Sequence, residues 1–252
     1  MAAYGSLCTE FYDLDKPNAP VGALSYYLDR ARRAGGRVLE PMCGSGRFLI
    51  PMSLAGVPID GVDSSPAMLS ACRVRARSLG IDVSIFLQEL ASLDLPHRYS
   101  MAFIPSGSIG LVTDEGDLRT VFSRLRAHME PGATLLLELA SVDDQTGRSA
   151  EPECRTVTCA DGSSITYTCI ASRTEPGDTV CFSGTYARRH GSRIVETETE
   201  ELVLRLYSSQ SLEAQLVASG FIPTKSPSPP HAAENGCTLV EASVQALLGP
   251  LR

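Results

Sequence analysis

Two carboxylates and a pair of glycines, set at the ends of two successive apolar runs, are the residues of this chain best placed to do chemistry. Glu40 follows Val38-Leu39 and leads into Pro-Met-Cys-Gly44-Ser-Gly46. Asp63 ends the next run, Ile59-Asp-Gly-Val62, seventeen residues beyond Gly46. Glycines are poor strand residues, so Gly44 and Gly46 mark a turn where the backbone comes close to a ligand and opens a helix. A carboxylate at the next strand end has two neighbouring oxygens that accept both hydroxyls of a ribose. The pattern points to a nucleoside site. A dinucleotide fingerprint would need a third glycine at position 49, where Leu49 stands, so NAD and FAD are disfavoured.

Composition narrows the field. The chain has 252 residues, of which 43% are hydrophobic, enough to bury one good core without disulfides or metals. A formal net charge of −7 works against a nucleic-acid partner, which requires clustered Lys and Arg. No run of eighteen apolar residues and no basic-then-apolar leader occurs, so the expectation is a cytoplasmic protein without a membrane partner. The eight cysteines include no C-x-x-C pair, and no metal site is expected. Cys43 lies inside the glycine turn, where its thiol either lines the ligand pocket or fills space.

The elements that must position these groups alternate. Residues 25–34 read as a helix stopped by Gly35-Gly36. Strand 38–39 and a helix over 45–55, kinked at Pro51, come next, then strand 59–62 and a helix capped by Ser65 with Pro66 at its first position. Strands follow at 83–87 and 101–104. Asp114 caps a helix whose Leu118, Val121, Phe122, Leu125 and Met129 recur every three or four residues. Ala133 to Leu139 is nearly all apolar, as in a central strand covered on both faces. Five βα steps predict a doubly wound α/β sheet. After Ser141 the segments 164–171, 179–188 and 194–207 are rich in Thr, Val, Tyr and Ile between turn residues, which predicts three antiparallel strands. A helix at 211–220, a Pro-rich loop at 226–230 and a strand at 238–242 complete the reading.

From Arg37 to Ser141 the chain resembles the class I S-adenosylmethionine-dependent methyltransferases. Glu40-x-x-x-Gly44-x-Gly46 is similar to their first motif, an acid followed by three alternating glycines, with Met42 in place of the first glycine. The resemblance implies a Rossmann-like, mostly parallel seven-stranded sheet with an antiparallel β insertion covering the active site. It divides the chain into an N-terminal helical lid (1–36), a cofactor-binding core (37–141), a cap (150–207) and a C-terminal helix and strand that complete the core (208–252).

The implied cofactor is S-adenosyl-L-methionine. Its amino-acid end would meet Glu40, its ribose Asp63, and its adenine Met68, Gln88 or Glu89, and Leu90, with Met42, Gly44, Ser45, Gly46, Ser64 and Pro105 as the other cofactor-binding positions. The implied reaction is methyl transfer to a nitrogen or oxygen of a small-molecule acceptor, by a monomer or homodimer. Non-methyl alkyl transfer or cyclisation with release of methylthioadenosine is the alternative, and a non-catalytic cofactor-binding protein a further one. A sulfonium methyl is already electrophilic, so a dedicated base is optional. Catalytic candidates are Tyr4, Tyr12 and Glu138; substrate-binding candidates are Phe11, Ser106, Ser108, Tyr186, Arg188 and Arg205. Tyr186 and Arg188 share one strand face by alternation. The four histidines read as structural or surface residues.

Overall fold

A computed structural model describes residues 4–140, 151–174, 177–225, 228–234 and 236–246. The proposed boundaries at 141, 150 and 252 lie outside them.

Parallel pairing organises the main sheet. Strands β1 (Val38–Pro41), β2 (Ile59–Asp63), β3 (Ser84–Leu87), β4 (Tyr99–Ile104) and β5 (Met129–Ala140) run parallel. Strands β10 (Phe221–Thr224) and β11 (Cys237–Val244) add an antiparallel edge, giving the order β10-β11-β5-β4-β1-β2-β3. Parallel strands need crossovers, supplied here by helices α3 (Leu49–Leu54), α4 (Pro66–Ser78) and α5 (Glu115–Ala127) together with short 3-10 turns. Helices α1 (Ser6–Asp15) and α2 (Val21–Ala34) precede the sheet; α6 (Ser209–Ala218) and α7 (Pro230–Glu234) flank β10.

Both faces of the sheet are covered. Leu135, Leu137 and Leu139 of β5 pack with Leu118, Val121 and Phe122 of α5, whereas Leu136 faces Tyr27 of α2 and Phe103 of β4. Alternate residues of one strand thus feed two cores, and for this reason β5 reads as continuously apolar.

The second sheet is antiparallel, order β6-β7-β8-β9, from β6 (Glu153–Thr158), β7 (Ser164–Thr174), β8 (Thr179–His190) and β9 (Arg193–Arg205). It has four strands where three were expected. Helix α1 packs on it: Leu7, Cys8 and Phe11 are buried against Ile165 and Tyr186.

Local chemistry explains the other departures. The helix expected from Ser45 begins at Leu49, because Gly44 and Gly46 have φ of 52° and 83° and keep the chain out of the right-handed helical region. Pro51 then falls in the first turn, where no intrahelical N–H is required, so it has no hydrogen bond to break. Strand β5 runs through Pro131-Gly132 because its pairing with β4 shifts register between Tyr99↔Met129 and Met101↔Thr134. Pro223 lies in β10, an edge strand. Prolines at 229 and 230 introduce α7 instead of extending a loop to residue 230.

Candidate active site

The carboxyl ends of β1 to β4 surround one cavity of about 630 Å³. Glu40, the penultimate residue of β1, is 2% exposed. The chain then turns through Met42, Cys43 and Gly44, all of which line the cavity. Gly46 could not be any other residue without movement: a Cβ there would lie 2.6 Å from Cys72 Sγ and 3.0 Å from Ile50, and its φ is 83°. Met42 has φ of 59°, a left-handed conformation that costs a non-glycine residue roughly 1–2 kcal/mol. The methionine holds a glycine's backbone shape.

Asp63 ties this turn to the next. Its Oδ2 accepts the Gly44 amide and its Oδ1 the Ser65 amide, each at 2.8 Å. The carboxylate retains lone-pair capacity for a ligand hydroxyl. Ser65 caps α4 by accepting from the Met68 amide, and its hydroxyl donates to the carbonyl of Tyr4. At the end of β3, the Gln88 side chain makes two 2.8 Å bonds to the backbone of Asp94, which closes the loop beside Glu89 and Leu90.

Electrostatics distinguish the acids. Burial pushes the Glu40 carboxyl well above the usual range; the Leu49 amide and Arg47 oppose this in part. Glu40 Oε2 is buried and has no hydrogen-bond partner within the protein. Asp63 is also raised by burial, against the pull of the Ser65, Gly44 and Ser64 amides. Burial and the nearby Glu200 push the Tyr4 phenol up.

Of the residues expected at the cofactor, Glu40, Met42, Gly44, Asp63, Ser64 and Met68 line the cavity, as do Gln88, Glu89, Leu90 and Pro105. Ser45 and Gly46 do not. Ser45 turns to donate to Asp13 of α1 at 2.5 Å, and Gly46 packs on α4. Tyr4, Tyr12, Ser106 and Ser108 also line it. Tyr12 accepts a 2.9 Å hydrogen bond from Arg47.

Five candidates lie elsewhere. Glu138 is 1% exposed and sits behind the cavity wall. Phe11 and Tyr186 are buried together between α1 and the second sheet. Arg188 is held by Glu10 and Glu196, since the face it shares with Tyr186 is turned to α1. Arg205 donates to the Thr113 carbonyl and pairs with Glu115. Residues not singled out from sequence replace them: Arg47 and Phe48 beside the glycine turn, Leu111 to Thr113, Asp117 and Val121 before and along α5, and Glu201 to Val203 of β9. Arg47 was within reach of sequence reasoning as the neighbour of Gly46. Those from Leu111 onward depend on how β9 lies against the short turn at Ser108–Leu111, which no local pattern encodes.

Known proteins share this fold. Residues 38–132 match the family model described as a methyltransferase domain. The chain is similar to the ubiquinone biosynthesis O-methyltransferase of Xanthomonas axonopodis pv. citri (strain 306), 24% identical over 139 residues, which is 53% of this chain and 57% of that protein. The chain spans about half the length of the curated relatives it matches. A solved S-adenosylmethionine-dependent methyltransferase from Clostridium acetobutylicum ATCC 824 has the same fold, with a TM-score of 0.75 at 15% identity, covering 94% of this chain and 97% of that one. An amino pentose methyltransferase from Micromonospora echinaspora, solved with its cofactor bound, gives a TM-score of 0.70 at 17% identity and covers 96% and 98%. Residues 38–132 thus carry the similarity to a methyltransferase domain, and the chain shares the fold of these solved methyltransferases.

Proposed function

We propose that the protein transfers a methyl group from S-adenosylmethionine to a nitrogen or oxygen atom of a small-molecule acceptor. The observation that carries this reading is the continuity of the cavity. It runs from Glu40 and Asp63 at the strand ends to Glu201, Leu202 and Val203 of the second sheet, so one space admits a nucleoside at one end and an acceptor at the other. The residues fit the cofactor. Glu40 Oε2, buried and unpartnered, suits an ammonium group, and Asp63 suits a ribose.

When bound, the cofactor supplies an electrophilic methyl on its sulfonium. The chain's contribution is to hold an acceptor lone pair in line and to keep water away. Leu111, Val112, Val121, Leu202 and Val203 give the far end an apolar body, and Tyr4 and Tyr12 of the N-terminal segment close over the near end. Among the lining residues Asp117 and Glu201 bring negative charge to the far end, and Arg47 beside the glycine turn is the cation. That balance suits a basic nitrogen better than an anionic acceptor.

The test is turnover with S-adenosylmethionine and a panel of small amines and phenols, read by mass spectrometry. The expected products are S-adenosylhomocysteine and an acceptor heavier by one methylene. Methylthioadenosine in place of S-adenosylhomocysteine would overturn methyl transfer.

A further inference from the structure

Behind the cavity wall lies a buried polar group that the proposed reaction leaves unused. Glu138, near the end of β5, accepts a 2.8 Å hydrogen bond from the Tyr27 hydroxyl on Oε1 and one of 2.6 Å from the Ser106 amide on Oε2. His231 of α7 brings its Nε2 to 3.3 Å of Oε1, and its ring packs against Tyr26 and Tyr27. The carboxylate therefore sits among three elements, α2, β5 and α7, and reaches a fourth segment through one backbone N–H.

That segment is the turn after β4, and it is strained. Ser106 has φ of 59° although it carries a side chain. Gly107 follows with φ of 73°; a Cβ there would lie 2.6 Å from the Ala140 side chain and 3.0 Å from its backbone. Gly107 adopts this shape freely, but a left-handed serine is unfavourable without an external tether. A carboxylate accepting the Ser106 amide is such a tether, because a hydrogen bond to a carboxylate is stronger than one to a neutral acceptor. Pro105, Ser106 and Ser108, which the turn carries, all line the cavity.

We propose that Glu138 is a positioning residue: through the Ser106 amide it holds the turn after β4 in its left-handed shape and so sets the cavity wall from behind. It touches neither cofactor nor acceptor. Tyr27 orients the carboxylate, and His231 stands on the side opposite the turn. The functional part of this inference rests on the cofactor reading of the cavity.

The experiment has two arms. In the first, the amide proton of Ser106 is followed by NMR in the labelled full chain. A short bond to a carboxylate predicts a resonance far downfield and slow exchange, with an upfield shift in Glu138→Gln, which keeps an acceptor but loses the charge. An ordinary shift and free exchange in the unmodified protein overturn the proposal, whatever the variants do. In the second arm, S-adenosylhomocysteine affinity is measured by calorimetry for Glu138→Leu in the presence and absence of Ser106→Gly. On the serine background Glu138→Leu weakens binding on the order of tenfold or more, and Glu138→Gln by less. On the glycine background, where the turn has no strain to restrain, Glu138→Leu adds less than about threefold to that background's own value. Equal effects on both backgrounds overturn the proposal. If the unmodified protein binds no S-adenosylhomocysteine, the cofactor reading falls, and the amide arm still decides whether Glu138 holds the turn.

Discussion

The amide of Gly44 donates to Asp63 Oδ2 at 2.8 Å, so the glycine turn after β1 and the acid that ends β2 form one hydrogen-bonded unit. The register places Glu40 opposite Gly61, two residues before that acid. Movement at either strand end is therefore transmitted to the other.

Replacement of Asp63 by alanine removes this link together with the proposed ribose acceptor. S-adenosylhomocysteine binding is expected to weaken by about 1–3 kcal/mol, the range for a buried hydrogen-bonding group left unpaired. Calorimetry measures it directly. An unchanged dissociation constant would place the ribose elsewhere.

Glu40 predicts a conflict between stability and binding. A carboxyl whose folded value lies above its unfolded one holds its proton more tightly in the folded chain. Its contribution to stability is complete below the ordinary glutamate range and is lost as pH rises through that range toward the folded value. Asp63 is shifted the same way and adds to the loss. Thermal melts of the ligand-free protein from about pH 4 to about pH 8 should show Glu40→Gln gaining on the unmodified chain as pH rises, by roughly 2–4 °C for each kcal/mol. The same variant should bind S-adenosylhomocysteine more weakly. A melting difference that does not depend on pH would contradict the assignment.

The N-terminal helix is held from across the molecule. Gly5 offers α1 no side-chain cap; instead Glu198 of β9 accepts the amides of Leu7 and Cys8, each at 3.0 Å. Glu198→Ala should cost about 1 kcal/mol, the usual value of a lost cap. Amide exchange across residues 6–15 would then rise roughly fivefold, and cofactor affinity would fall because Tyr4 and Tyr12 line the cavity. Hydrogen exchange read by mass spectrometry checks the first effect. Unaltered exchange across that segment would mean that the packing of Leu7 and Phe11 alone secures α1.

Much of the cofactor end could be read from sequence, because its determinants are local. Glycines that mark a turn, acids at strand ends and Ser65-Pro66 at a helix start each encode their geometry within a few residues. Met42 shows where that logic stops. Its side chain gives no hint of the left-handed backbone that its neighbours impose. The acceptor end was legible only as a class of structure. Tyr186 and Arg188 do share a face, yet which partner that face meets depends on α1 folding against the second sheet, 178 residues away along the chain at Glu10–Arg188. Strand β6 escaped notice for a related reason. Its residues are mostly exposed, so no alternation of apolar and polar types announces it.

The second sheet leaves the chain after β5 and returns just ahead of α6, rooted where Arg205 meets Thr113 and where Tyr207 donates to the Val112 carbonyl at 2.6 Å. Such an excursion interrupts none of the parallel strands. Under the proposed function, its surface can be rewritten by descent without disturbing the alignment of β1 and β2, so lineages sharing this blueprint would trade one acceptor for another while keeping the same nucleoside end.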